Sequence, residues 1–170
     1  VCATIAFSAI QNNDKTGLIL FTDRVEKFIP PKKGRSHTLR IIRELIEFKP
    51  QHKGTDVSGS LKFLNNVIKK RSIAFLISDL MDQGYDDAIK IANRKHDLVV
   101  LRTSDPREQE LPNVGLVQFT DPETGDTRWV DTGNKRIRAH YRAEALKHQA
   151  RTRDILRRAG VDSAVIGTRE

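Results

Sequence analysis

Two short polar segments carry side chains that could bind a divalent cation. Lys53-Gly54-Thr55-Asp56 precedes a run with helical spacing of apolar residues, and Ser78-Asp79 follows an apolar run typical of a buried strand. The Thr55 hydroxyl and the Asp79 carboxylate would then both lie at the carboxyl end of a parallel sheet, where open α/β sheets bind ligands. Such oxygen ligands suit Mg²⁺, Ca²⁺ or Mn²⁺, and no nearby set of Cys and His would suit zinc.

Each of these side chains also has an ordinary structural explanation. Thr55 or Asp56 could cap the helix that follows, and Asp79 could cap a helix near Gly84. A carboxylate after five apolar strand residues is nonetheless costly to bury without a cation, a donor or water. The local sequence therefore leaves two alternatives open: helix caps, or two ligands of one hard cation.

The elements that would position these residues alternate between strand and helix. The predicted strands are 17–21, 25–29, 73–77, 98–101 and 164–166. The predicted helices are 1–12, a helix capped by Ser36 that runs to Phe48, 56–68, 85–92 and 134–159. Short links between alternating strands and helices predict a mixed, mostly parallel, doubly wound α/β sheet, with an antiparallel pair (17–21 with 25–29) at one edge. A surface hairpin is expected as an insertion at about 113–132, around the turn 121–126.

Composition predicts one domain over 1–170. The chain has 170 residues, of which 38% are hydrophobic and 31% charged, so it can bury a real core under a charged exterior. The lone cysteine, Cys2, favours a reducing compartment. No apolar run approaches the roughly 20 residues that span a bilayer, and no leader is recognisable, although the chain begins inside a predicted helix and a leader could have been removed. We therefore expect a cytoplasmic protein with no membrane partner.

The net charge of +8 is concentrated in one predicted helix. Between Asn134 and Ala159 there are nine basic residues against Glu144 and Asp154, a local net charge of +7. These basic residues are Lys135, Arg136, Arg138, Arg142, Lys147, Arg151, Arg153, Arg157 and Arg158. They could neutralise nucleic-acid phosphates, and Arg138, Arg142, Arg151 and Arg153 would form the basic surface. The favoured interpretation is a solvated face or a dock for an acidic partner, because aromatic residues are only 6% of the chain and no groove-reading motif is present.

Enzymatic interpretations have weaker support. Asp79 and Asp82 are not spaced as the Asp-x-Asp of phosphotransfer enzymes, and neither a nucleophile elbow nor a Walker loop is found. A magnesium-dependent phosphotransfer enzyme is therefore the least favoured alternative, and we expect no catalytic residue. Asp121, Glu123 and Asp126 could hold calcium, but turn chemistry explains them better.

Many separated segments together resemble one bacterial group of proteins. They include Gly17-Leu-Ile-Leu-Phe-Thr-Asp-Arg-Val-Glu-Lys-Phe-Ile-Pro-Pro-Lys-Lys-Gly34, Gly54-Thr-Asp56, Phe75-Leu-Ile-Ser-Asp79, Lys95-His-Asp97, Asp105-Pro-Arg-Glu108, Asp121-Pro-Glu-Thr-Gly125 and Val130-Asp-Thr132. The group is the DUF58-type proteins, which carry a von Willebrand factor A-like domain and whose genes accompany MoxR-type AAA+ ATPases. The likeness extends over nearly the whole chain.

The resemblance implies a metal-ion-dependent adhesion site. In that fold the ligands are an Asp-x-Ser-x-Ser loop after the first strand, a Thr in a later loop and an Asp after the fourth strand. Thr55 and Asp79 match the latter two. Asp56, Ser78 and Asp82 are expected to support these ligands or to contact a partner. No Asp-x-Ser-x-Ser occurs near the amino terminus, so the chain is expected to lack the first, central strand.

Three expectations follow from the resemblance and this absence. Strands 17–21 and 73–77 would lose their shared neighbour, so they should pair directly, or a second copy of the chain should fill or cover the gap. Mg²⁺ binding should be weak or absent because three oxygen ligands are lost. The expected role is a non-enzymatic, cation-dependent protein-interaction module that works with a MoxR-type ATPase, or its client, in protein assembly or maturation.

Overall fold

A computed structural model describes residues 1–105, 109–120 and 125–167, with five helices and seven strands in those ranges. The helices are α1 (Cys2–Gln11), α2 (Arg35–Glu47), α3 (Val57–Val67), α4 (Asp86–Lys95) and α5 (Lys135–Ala159). The strands are β1 (Thr16–Phe21), β2 (Val25–Lys32), β3 (Ile73–Ser78), β4 (Asp97–Ser104), β5 (Leu116–Thr120), β6 (Thr127–Asp131) and β7 (Asp162–Gly167). Most of the predicted 121–126 turn, with Asp121 and Glu123, lies outside the described residues.

A parallel three-stranded sheet, in the order β3-β4-β7, forms the centre of the protein. Ile73 pairs with Asp97 at the start of the β3–β4 ladder, and Val99 pairs with Asp162 at the start of the β4–β7 ladder. Helices α4 and α5 lie between these strands in sequence, as parallel connections require. The prediction of a mixed α/β fold with a parallel sheet is confirmed.

The hairpin of β1 and β2 forms a separate two-stranded antiparallel sheet. Gly17 is favoured in it, because a Cβ there would lie in tight contact, 3.0 Å from the Ile29 carbonyl oxygen. β2 continues through Pro30 and Pro31, which edge strands tolerate because they need fewer ladder hydrogen bonds. Direct pairing of β1 with β3 is therefore wrong for the described residues. A second copy that covers the gap stays a prediction.

The main core lies on one face of the parallel sheet. Leu76, Leu98 and Val100 point to that face, where they pack with residues of α3, α4 and the last third of α5. On the opposite face Ile73 and Phe75 keep 66% and 43% of their surface exposed. The doubly wound layering, with helices on both faces, stays a prediction.

Helix boundaries agree with the sequence to within one residue except at the cap of α2 and at the end of α4, which was predicted at residue 92 and lies at Lys95. Asp56 caps α3, since its Oδ1 accepts from the Gly59 N–H at 2.7 Å. The expectation that Ser36 caps α2 is wrong, because the cap position is Gly34, which has a φ of 107° and contributes no side-chain bond. Ser36 lies inside the first turn, where its hydroxyl cannot act as the cap.

Helix α5 is much longer than the strands. Its 25 residues span about 37 Å, whereas a six-residue strand spans about 20 Å. Only Thr152, Ile155 and Leu156 of this helix are buried. His148 lines a small cavity with residues 82–85, just beyond the end of β3. Residues 135–147 therefore extend about 20 Å past the carboxyl edge, the edge of the parallel sheet at which its strands end. The predicted hairpin, β5 with β6, immediately precedes this extension.

His96 is an unusual member of the interior. It is fully buried between α4 and β4, and neither ring nitrogen has a hydrogen-bond partner among the described residues. Burial, with a smaller contribution from the charge of Lys95, lowers the pKa of His96 below its ordinary value of 6.5. The folded protein therefore holds the neutral imidazole.

We predict that this histidine makes the protein sensitive to mild acid. As pH falls below 6.5, the unfolded chain binds a proton that the folded chain excludes. The free energy of unfolding should then fall by at most about 1.4 kcal/mol per pH unit. Urea denaturation between pH 5 and 7.5 measures this slope, and His96→Leu should remove it. The exposed His140→Leu is the control, and an equal slope in wild type and His96→Leu would contradict the assignment.

Candidate functional site

The first turn of α3 is the point where three chain segments meet. The Asp56 N–H donates to the carbonyl of Thr22, the residue after β1, at 2.7 Å. The Val57 N–H donates to Asp82 Oδ2 at 2.9 Å, which brings in the loop after β3. The first N–H groups of a helix lack partners within the helix, so these acceptors stabilise the turn. β1 and β3 therefore end at the same place although they belong to separate sheets.

The loop after β3 fixes the position of the Asp79 carboxylate. Leu80 is fully buried and has a φ of 58°, a left-handed conformation that costs a non-glycine residue about 1–2 kcal/mol. Its N–H donates to Ser78 Oγ, and the Met81 N–H donates to Asp79 Oδ1, both at 3.1 Å. The buried leucine anchors the loop, while Asp79 stays exposed at the carboxyl edge with Oδ2 unbonded to any described residue.

Thr55 lies on the adjoining loop and is exposed. Asp56 makes the cap of α3, so the Thr55 hydroxyl does not, and it has no hydrogen-bond partner among the described residues. Gly54 precedes it with a φ of 84°, and a Cβ at Gly54 would lie 3.7 Å from the Cβ of Asp23. Asp79 does not cap α4 either, because the cap position is Tyr85, without a side-chain bond. The expected cap of α3 is thus confirmed and is made by Asp56, whereas neither Thr55 nor Asp79 caps a helix.

All five predicted site residues lie at this edge, but their oxygens differ in availability. The carboxylates of Asp56 and Asp82 accept backbone N–H groups, so they hold the loops in place. Thr55 Oγ1 and Asp79 Oδ2 are free of described partners, and Ser78 Oγ lies 3.5 Å from Asp79 Oδ1. A hard cation takes six or more oxygens, so these residues fit part of its shell. No group of three or more His, Cys, Asp or Glu suited to a metal occurs in the described ranges.

Glu26 is a positioning residue that the sequence analysis missed. Its carboxylate accepts the N–H groups of Gln51 and His52 and the hydroxyl of Thr22, at 2.8–3.1 Å. These donors, with Gln51 foremost, lower the pKa of Glu26 below its ordinary value. Glu26 thus ties the loop that leads to Thr55 onto the β1–β2 turn. The one sequence signal was an acidic residue inside the predicted second strand, next to Lys27.

The four predicted basic-surface residues do not form one surface. Arg138 donates to the carbonyl of Thr132 at the start of α5, and Arg142 forms an ion pair with Glu110 at 3.3 Å. Arg151 lines a groove beside α4. Arg153, two residues further, points about 200° away around the helix.

The fold and this edge define a mixed α/β protein with a candidate binding site at the carboxyl ends of its strands. Residues 1–151 match the family described as "Protein of unknown function DUF58", and the chain belongs to that family. The uncharacterized protein Rv1480 of Mycobacterium tuberculosis is 23% identical over 161 residues, which cover 93% of this chain and 50% of that protein. The uncharacterized protein MAV169 of Mycobacterium avium is 24% identical over 143 residues, covering 82% and 84%. The chain thus spans about half the length of Rv1480.

Two solved structures share the fold. One is the conserved hypothetical protein BatB from Bacteroides thetaiotaomicron, with a TM-score of 0.56, 17% identity and coverage of 97% of this chain and 78% of that chain. The other is an aerotolerance-related membrane protein from Bacteroides fragilis, with a TM-score of 0.57, 16% identity and coverage of 98% and 80%. Among the described residues of the present chain, no helix combines the length and the apolar character needed to cross a membrane.

We predict that Asp82 holds the candidate site together. Asp82→Ala removes the acceptors for the N–H groups of Val57 and Gln83, so the free energy of unfolding should fall by about 1–2 kcal/mol. Urea denaturation measures the change. Asp14→Ala is the matched control, since Asp14 is exposed in a loop and should change stability by less than about 0.5 kcal/mol. Equal effects of the two substitutions would contradict the role given to Asp82.

Proposed function

We propose that this chain is a non-enzymatic protein-interaction module that contacts its partner through a divalent cation at the carboxyl edge. The observation that carries the proposal is a pair of oxygens, Thr55 Oγ1 and Asp79 Oδ2, that have no hydrogen-bond partner among the described residues. They lie on loops that are joined by the hydrogen bond between Val57 and Asp82. Mg²⁺ is the expected cation, with Ca²⁺ or Mn²⁺ as alternatives, because all three prefer oxygen ligands.

The charge balance of this edge favours binding over turnover. One free carboxylate leaves half of the charge of a divalent cation uncompensated, so an Asp or Glu of a partner would complete the shell. The neighbouring carboxylates, Asp56 and Asp82, are engaged in holding α3 and its loop. These roles suit a fixed docking point, since neither of the two carboxylates is free to act as a general base.

The resemblance to MoxR-associated domains suggests the class of partner. We propose a MoxR-type AAA+ ATPase, or its client, in a cytoplasmic assembly or maturation process in bacteria. The match to DUF58 extends over residues 1–151 and so includes both loops of the site. A second copy of the chain is the other partner that we propose, at the gap between β1 and β3.

Cation binding by the isolated chain should be weak. Because the described residues supply only part of an oxygen shell, we predict millimolar or undetectable affinity for Mg²⁺ in calorimetric titration. Any heat of binding should vanish in Asp79→Asn and persist in Asp14→Asn. Micromolar affinity, or binding that survives Asp79→Asn, would contradict the proposed site.

The partner interaction should depend on the same groups. In millimolar Mg²⁺, immobilised protein should retain a purified MoxR-type ATPase from the same bacterium, and a chelator should release it. Asp79→Ala and Thr55→Val should each reduce retention at least fivefold, while Asp14→Ala should not. Retention that ignores the chelator and both substitutions would rule out a cation-mediated contact.

A further inference from the structure

A polar groove runs between α4 and α5, and none of the five candidate cation-site residues lines it. It encloses a cavity of about 270 Å³, and its lining mixes charged side chains with one apolar residue at its base. The lining residues are Asp86, Lys90, Arg151, Asp154, Ile155 and Arg158. Ile155 is 8% exposed, so it forms an apolar floor under the charged rim.

Two of the cations and one carboxylate of this groove, Asp86, have no ion pair with any described residue. Lys90 is paired with Asp87 at 3.2 Å, and Asp154 is paired with Arg157 at 2.9 Å. Arg151 and Arg158 have no ion pair with any described carboxylate, and both are exposed. They are seven residues apart on α5, so they lie on the same side of the helix about 10 Å from each other. The groove thus offers two guanidinium groups above an apolar floor.

The charges of the groove select among anionic ligands. A guanidinium group binds a carboxylate through two parallel hydrogen bonds, so two arginines suit two separate carboxylates. A nucleic acid presents a continuous row of phosphates that would pass Asp86 and Asp154, whereas a peptide can place its carboxylates at the two arginines alone. The apolar floor at Ile155 favours a chain with an apolar side chain between its acidic ones. A peptide meets all of these conditions.

We propose that the groove between α4 and α5 binds an acidic peptide segment of a partner protein, with Arg151 and Arg158 as its anchors. The segment places one carboxylate on each guanidinium group and an apolar side chain over Ile155. Most of the excess charge of the protein lies on α5, so the helix also attracts an acidic segment from a distance. This binding needs no cation and is independent of Thr55 and Asp79.

The test is fluorescence anisotropy with a labelled acidic decapeptide that contains Glu, Asp and Leu, in buffer with EDTA. Arg151→Gln/Arg158→Gln should weaken peptide binding roughly tenfold or more, because charge-assisted hydrogen bonds are lost. The matched control is Lys135→Gln/Arg153→Gln, which removes the same charge from the opposite side of α5 and should change affinity less than about twofold. All four positions are exposed, and unchanged thermal midpoints will show that both variants fold.

Three results would overturn the proposal. The first is no detectable peptide binding, and the second is an equal loss of affinity in the two double variants, which would mean that only net charge matters. The third is tighter binding of a DNA duplex or of phosphatidylglycerol vesicles than of the peptide at physiological salt. Because EDTA removes divalent cations, failure here leaves the cation site untouched, and failure of the cation site leaves this groove untouched.

Discussion

The first turn of α3 connects the β1–β2 hairpin to the parallel sheet and so fixes how the two sheets are arranged. The β1–β2 hairpin and the parallel sheet share no backbone ladder among the described residues, yet each contributes an acceptor to the first turn of this helix. Further along α3, Phe63 packs edge-to-face on Phe28 of β2 at 5.4 Å, and Leu61 enters the core over the parallel sheet. One helix therefore aligns two sheets, and the helix cap Asp56 lies where they meet.

The contacts around the first turn of α3 explain why Thr55 Oγ1 and Asp79 Oδ2 have no partner among the described residues. Asp56, Asp82 and Glu26 are the carboxylates that hold the loops, and each is engaged by backbone N–H groups. Because these residues hold the loops, the Thr55 hydroxyl and one oxygen of Asp79, Oδ2, remain without a partner among the described residues, while Asp79 Oδ1 accepts the Met81 N–H. An exposed hydroxyl and a half-used carboxylate beside an ordered helix start are the groups that a hard cation or a partner could engage.

The parts that local patterns predicted well are those held by local interactions. The apolar run of β3 and the long basic helix lie within one or two residues of their predicted bounds, because periodicity reflects which face is buried. The cap of α2 was missed because Gly34, with its positive φ, takes the position predicted for Ser36. The separation of β1 from β3 and the hydrogen bonds of Glu26 were not predicted, because both depend on segments that lie far apart in the sequence. The left-handed conformation of Leu80 was not predicted either, since leucine rarely adopts it.

Whether Thr55 and Asp79 bind one common cation can be seen by anomalous scattering from crystals soaked in Mn²⁺. Mn²⁺ takes the same oxygen ligands as Mg²⁺ and can be located by its signal. We expect a peak about 2.2 Å from both Thr55 Oγ1 and Asp79 Oδ2, with water on the remaining positions. A peak elsewhere, or the two oxygens more than about 6 Å apart with manganese bound to only one of them, would contradict it.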